Sequence, residues 1–315
     1  MKILYLCSKH THDTKMSRIR FQSMTAVGKL CDLKWSGIGW DGYDNDKTVQ
    51  ENIDYLYGDS PPDIVVAYKP LDLKAFNEIK PVKCMRYNEM WNKEWTLEEI
   101  LGSGTQVVIC HHENDMKEYV KLNEVDHVKF YHVPHCAEAS IYKDYGEEKV
   151  NDVLFTGVVS THYPFRKKLR SVVRRRLNKI VKCRILNHPG RGGVPYNEIR
   201  GHTLEKYARE INRSKISLTC SSKYKYRLGK YIEIPMCHSL LAGDLPDEDQ
   251  DFFKKFMLVL EPSWSSNQIV DKIVHYVKND KERNIMIQKG VELNRENTQE
   301  KYAKNFLIAI EAALV

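Results

Sequence analysis

Short apolar runs alternate with amphipathic stretches along most of the 315 residues. Lys2–Cys7, Cys31–Ser36, Ile64–Tyr68, Lys83–Asn88, Val107–Cys110 and Lys129–Val133 are brief, apolar and bounded by polar or turn residues, which predicts strands. Between them Phe21–Leu30, Thr48–Leu56 and Leu71–Ile79 carry helical spacing, while the polar residues 8–18 read as a loop after the first strand. A second series starts after the polar connector 142–151, with strands at Asp152–Phe155, Lys182–Leu186, Lys215–Cys220 and Met257–Leu260. Its helices are expected at Arg166–Ile180, Thr203–Asn212, Ser265–Lys278, Lys281–Asn294 and Gln299–Leu314. Strands alternating with helices predict an α/β fold of two Rossmann-like β/α/β domains, each a parallel sheet covered on both faces. The expected division is 1–140, 141–296 and a terminal helix over 297–315.

Composition narrows the function classes. The net charge of +7 points to an anionic ligand, nucleic acid or an anionic membrane. No apolar run reaches the ~18 residues of a membrane span, and the start MKILYLC is too short an apolar run for a signal peptide. The eight cysteines are dispersed with no C-x-x-C pair, which suits reduced thiols, a cytoplasmic protein and no structural zinc.

The stretch 221–248 concentrates chemistry. A basic, aromatic loop holding Lys223, Lys225, Arg227 and Lys230 leads into the helical run GKYIEIPMC, which carries Glu233 near its start. Cations ahead of a helix suit a diphosphate, and a carboxylate one turn in can accept from both ribose hydroxyls. The same residues also fit a surface helix with solvated lysines. Open parallel sheets bind ligands beyond the carboxyl ends of their strands. There the sequence places residues 8–13, His111-His112-Glu113, Thr156-Gly157 and 223–227.

In this order of signals the chain resembles glycosyltransferases of the two-Rossmann-domain (GT-B) fold, specifically the CgeB-like group with its "glycosyl transferases group 1" domain. The motifs are VPHCAE (133–138), DVLFTG (152–157), YPFRKKL (163–169), HPG (188–190) and KYIEIP (230–235), so the likeness covers 133 to about 247. The resemblance implies two domains facing across a cleft and a sugar moved from a nucleotide diphosphate to a hydroxyl of a glycan or other acceptor, without a metal. It implies Glu233 at the donor ribose and Gly157 under the diphosphate, with Arg166, Lys225 and Arg227 as its cations and His135 beside the sugar or phosphate. His111, His112 or Asp13 is the candidate base for the acceptor hydroxyl; a histidine capping strand-end carbonyls, or a polar loop, would look the same.

Two positions depart from the resemblance. Lys225 stands where many retaining members carry the first Glu of Glu-x7-Glu, and His238 replaces a usual small residue, so retention and inversion both stay open. Asp44-Asn45-Asp46 lies in a Gly/Asp loop and is read as a loop, not a metal motif. The basic helix 166–179 has an apolar stripe, which makes most of its charge a solvated face, with peripheral contact to an anionic membrane as the other reading. A non-catalytic sugar-binding relative and a basic nucleic-acid-binding protein are the competing functions, the latter lacking a nucleic-acid motif.

Overall fold

A computed structural model describes residues 1–14, 18–186 and 204–315. By its contacts the chain forms two compact units: Met1–His135 with Gln299–Val315, and the described residues between 136 and 298.

In the first unit the order is β1 (Lys2–Leu6), α1 (Lys9–Thr14), α2 (Arg18–Val27), β2 (Asp32–Ser36), α3 (Val49–Tyr57), β3 (Ile64–Ala67), β4 (Val82–Tyr87), α4 (Lys93–Gly102), β5 (Val107–Cys110), α5 (Glu113–Tyr119) and β6 (Lys129–His132). The strands form a parallel sheet ordered β2-β1-β3-β4-β5-β6. Side chains alternate across it as the pleat requires. Leu4, Leu6, Val65 and Ala67 pack with Val49 and Ile53 of α3 on one face. Arg86 of β4 points to the other face, toward Ser23 of α2.

The second unit contains β7 (Asn151–Thr156), α6 (Pro164–Arg175), β8 (Cys183–Leu186), α7 (Leu204–Asn212), β9 (Ser214–Leu218), α8 (Lys230–Met236), β10 (Leu240–Gly243), α9 (Gln250–Phe253), β11 (Leu258–Val259), α10 (Ser266–Lys278) and α11 (Asp280–Asn294). Its parallel sheet runs β11-β10-β9-β7-β8 among the described residues. Leu169, Val172 and Val173 of α6 pack with Ile269 and Ile273 of α10 on one face, and Ile211 of α7 packs with Ile232 and Ile234 of α8 on the other. The last helix, α12 (Gln299–Leu314), belongs to the first unit and packs on α2.

Two parallel sheets clothed by helices give the α/β class expected. Three local readings change. Residues 9–14 are helical, because the Ser8 hydroxyl accepts from the Thr11 amide (3.2 Å) and starts a turn where composition suggested a loop. Residues 71–79 form only the 3-10 turns Pro70–Asp72 and Phe76–Glu78, since Pro70 supplies no N–H and Ala75 turns left-handed (φ +54°). Helices α4 and α5, absent from the hydrophobic pattern, form behind non-periodic residues; α4 is started by Asn92, whose side chain accepts from the Trp95 amide (3.1 Å). The HPG motif lies outside the described residues.

Candidate functional site

In the second unit, the end of β7 carries the most distinctive cation pair. Gly157 follows Thr156 with φ +110°, a conformation that a side chain strains. A Cβ built there would lie 2.9 Å from Lys230 Nζ and 3.0 Å from Arg166 Nη1. Two cations, one from α6 and one from α8, therefore converge above a backbone with no side chain. Arg166 is 4% exposed, so it leaves the solvated face that its helix otherwise presents. Its guanidinium lies 4.1 Å from the centre of the Tyr163 ring, and Nη1 donates to the Val158 carbonyl (3.0 Å). Its Nε is buried with no partner among the described residues. Lys230 Nζ donates to Thr156 Oγ1 (3.3 Å). Two converging cations suit a multiply charged anion.

The loop between β9 and α8 is tied to this place. The Lys223 amide donates to the His162 carbonyl (2.9 Å), and His162 Nδ1 lies 3.0 Å from the Tyr224 hydroxyl. Ser222 and Lys225 both have positive φ (+70° and +59°), a strain of about 1–3 kcal/mol each that neighbouring contacts must hold. Buried Asp244 supplies those contacts. Its carboxylate accepts from the Ser221 amide (2.9 Å), the Ser221 hydroxyl (2.6 Å) and Lys225 Nζ (3.1 Å), while its carbonyl accepts from the Tyr231 hydroxyl (2.6 Å). Lys225 is thus paired with a carboxylate at the end of β10. Arg227 is buried and lies 3.5 Å from an Asp249 carboxylate oxygen, with Nε lacking a partner among the described residues. Glu233 sits in the first turn of α8, three residues after Lys230, and is 9% exposed. His238 follows the α8 C-cap with φ +54°, the left-handed position that favours a small residue, and its ring reaches Asp144 (3.5 Å).

In the first unit the three named histidines meet. His111 stacks on His135 (centroids 4.4 Å apart), and His112 meets His135 edge-on (5.5 Å). All three are buried. His111 Nδ1 lies 2.8 Å from the Val133 carbonyl, so it carries the proton and donates, leaving Nε2 as a bare acceptor with no partner among the described residues. Burial pushes the His111 pKa well below the ordinary histidine value, and the charges of Arg86 and His135 push the same way. The consequence is testable. In the unfolded chain a histidine takes up a proton near pH ~6.5, while folded His111 stays neutral. Stability therefore falls as the pH drops below that value, and urea melts between pH 7.5 and 5.5 should show it. His111→Gln should flatten the slope by roughly one proton's worth.

Asp13 is exposed at the end of α1, ion-paired with Lys9 and 3.1 Å from His12 Nδ1. Hydrogen bonds from Lys9 first, then His12, hold its pKa below the usual carboxylate range. Asp44 and Asp46 lie in an exposed loop where the Asp44 side chain accepts from the Asp46 amide (2.9 Å), as a turn does. Among the described residues no group of three or more His, Cys, Asp or Glu is placed to hold a metal, and no helix is long and apolar enough to cross a membrane. The structure thus joins Gly157 with Arg166, and His111 with His112 and His135. It adds Lys230 and Asp244, which sequence reasoning left unassigned: Lys230 was one loop cation among four, and Asp244 followed an apolar run with no motif of its own.

No protein-family model matches the sequence, and no curated protein does. Solved structures do match in fold. Sucrose-phosphate synthase from Thermosynechococcus elongatus aligns over 99% of both chains with a TM-score of 0.69 at 12% identity. Anabaena HepE in complex with UDP and glucose aligns over 99% of this chain and 100% of its own, with a TM-score of 0.63 at 9% identity. A glycosyltransferase from Rickettsia africae aligns over 99% and 98%, with a TM-score of 0.62 at 10% identity. The chain thus has the GT-B fold of these glycosyltransferases.

Proposed function

We propose that the protein transfers a sugar from a nucleotide-diphosphate donor to an acceptor hydroxyl. The observation that carries this reading is the convergence of Arg166 and Lys230 above Gly157 at the end of β7. As the bond between the anomeric carbon and the diphosphate oxygen breaks, negative charge grows on the leaving diphosphate. Preorganised cations in a partly dry site stabilise that growth most. Arg166 and Lys230 take this role, with the Gly157 backbone letting the phosphates approach. Glu233 accepts from the donor ribose hydroxyls. The acceptor oxygen bonds to the anomeric carbon and its proton passes to a base; within the first unit, His111 Nε2, the bare acceptor described above, is the group proposed for that role. His112 and His135 hold the His111 ring in place. The two cations supply the positive charge that a divalent ion would otherwise bring, so the reaction is proposed to proceed without metal. The alignments with structures whose complexes contain UDP support a nucleotide donor.

Glu233→Ala tests the ribose assignment. Loss of a charge-assisted hydrogen bond costs about 1.5–3 kcal/mol, or on the order of 10–100-fold in affinity. Isothermal titration with UDP, GDP and ADP should show that loss for the preferred nucleotide, with little change in unliganded melting temperature. Undiminished affinity would remove Glu233 from the donor site.

A further inference from the structure

The first unit contains a second cationic feature, which the donor reading does not use. Arg86 of β4 is fully buried, yet it has no carboxylate partner among the described residues. Nε donates to the Tyr302 hydroxyl of α12 (2.9 Å) and Nη2 to the Ser23 hydroxyl of α2 (2.7 Å), while Nη1 has no partner. Both contacts are neutral. A guanidinium taken out of water without a counter-charge is costly, and proteins normally resolve the cost with an anion.

Its surroundings repeat the pattern. Arg20 stands one turn before Ser23 on α2, half-buried, with its guanidinium 3.6 Å from the centre of the Tyr68 ring and Nε lacking a partner. The Tyr5 hydroxyl of β1 and the Asn88 side-chain Oδ1 just beyond β4 are buried and likewise unpartnered among the described residues. Arg20 and Arg86 both act on the Tyr5 hydroxyl, drawing its pKa down against the burial that raises it to about 12. The two guanidinium groups therefore share one neighbourhood. It lies at the carboxyl ends of β1 and β4, where open parallel sheets take ligands. Buried polar groups left without partners are rare, and several at one sheet edge call for a polar occupant.

We propose that this is the acceptor site and that the acceptor carries an oxyanion, a phosphate or carboxylate, gripped by Arg20 on the outside and Arg86 within. The inference rests on the sugar-transfer reading for the word acceptor; the anion site itself rests on the orphaned guanidinium groups. The unpartnered hydroxyl and amide groups receive the hydroxyls of the same molecule. The rival role for Arg86 is a clamp that fastens α12 to α2 through Tyr302 and Ser23.

The test is thermal unfolding at matched ionic strength with glucose, glucose 6-phosphate, glucuronate, inorganic phosphate and UDP as separate probes. The parent should be stabilised by glucose 6-phosphate or glucuronate and not by glucose. The midpoint concentration should rise at least tenfold in Arg20→Gln and Arg86→Gln, while the UDP response stays unchanged. Removing an uncompensated charge should also leave the unliganded melting temperature of Arg86→Gln equal or higher. If Arg86→Gln fails to fold, Arg20→Gln and the parent decide. A parent indifferent to every sugar anion overturns the proposal, and a response to inorganic phosphate as strong as that to the sugar anions overturns the acceptor assignment. A UDP response without a sugar-anion response sinks this inference alone. Loss of the UDP response sinks the donor reading instead.

Discussion

Gly157→Val should remove nucleotide-diphosphate binding almost entirely. The new Cβ would fall 2.9 Å from Lys230 Nζ and 3.0 Å from Arg166 Nη1, and the γ-methyls would fill the space between them. The backbone adds to the cost, because φ +110° suits glycine and strains valine by about 1–3 kcal/mol. Displacing two charge-assisted contacts at about 1.5–3 kcal/mol each predicts an affinity loss on the order of 100-fold or more. Calorimetry with UDP, GDP and ADP checks this, and circular dichroism separates it from misfolding. Gly157→Ala should lie between parent and valine. Arg166→Met should reproduce much of the binding loss without backbone strain, since Leu169 and Val173 still anchor α6 to the core.

Asp244→Ala should be the most damaging single change to stability in the second unit. The carboxylate is 3% exposed and receives one amide, one hydroxyl and one ammonium. Truncation leaves the Ser221 amide and hydroxyl buried without their acceptor and releases Lys225 from its only carboxylate among the described residues. Each abandoned buried donor costs about 1–3 kcal/mol, which predicts a loss of roughly 3–5 kcal/mol in chemical unfolding. Lys225 contributes little of this, because it is 40% exposed and its pairing is screened by water. Asp244→Asn should cost less, since the amide oxygen can still accept from Ser221. The loop also loses its hold on the left-handed Ser222 and Lys225, so nucleotide affinity should fall together with stability. A binding loss without destabilisation would contradict this account of Asp244.

Much of the architecture was legible because buried parallel strands are short apolar runs with polar boundaries, as at 64–68, 107–110 and 152–155. The amphipathic helices α6 and α7 were legible for the same reason. Periodicity failed where helices depend on local capping, as at Ser8 and Asn92, and where Pro70 and left-handed Ala75 break a helical pattern. In the site, Gly157 and Arg166 stood in motifs with a physical meaning. Lys230 did not stand out from the neighbouring lysines, because only the fold shows which loop cation turns toward β7. Arg86 gave no sign at all: one basic residue in a strand looks like an edge charge until the helices covering it are in place. Lys225 shows the reverse. Its place in the basic loop ahead of α8 suggested a diphosphate cation, and the fold places a carboxylate beside it.

The central claim is that the second unit receives a nucleotide diphosphate through side-chain cations. Thermal unfolding with UDP, GDP, ADP and dTDP, and with UMP as the monophosphate control, all in EDTA, tests it most directly. A ligand that binds only the folded chain raises the melting temperature by mass action. The account predicts a clear rise for one diphosphate in EDTA, a smaller one for the monophosphate, and loss of the rise in Gly157→Val. No rise with any diphosphate, or a rise that appears only when a divalent ion is added, would contradict it.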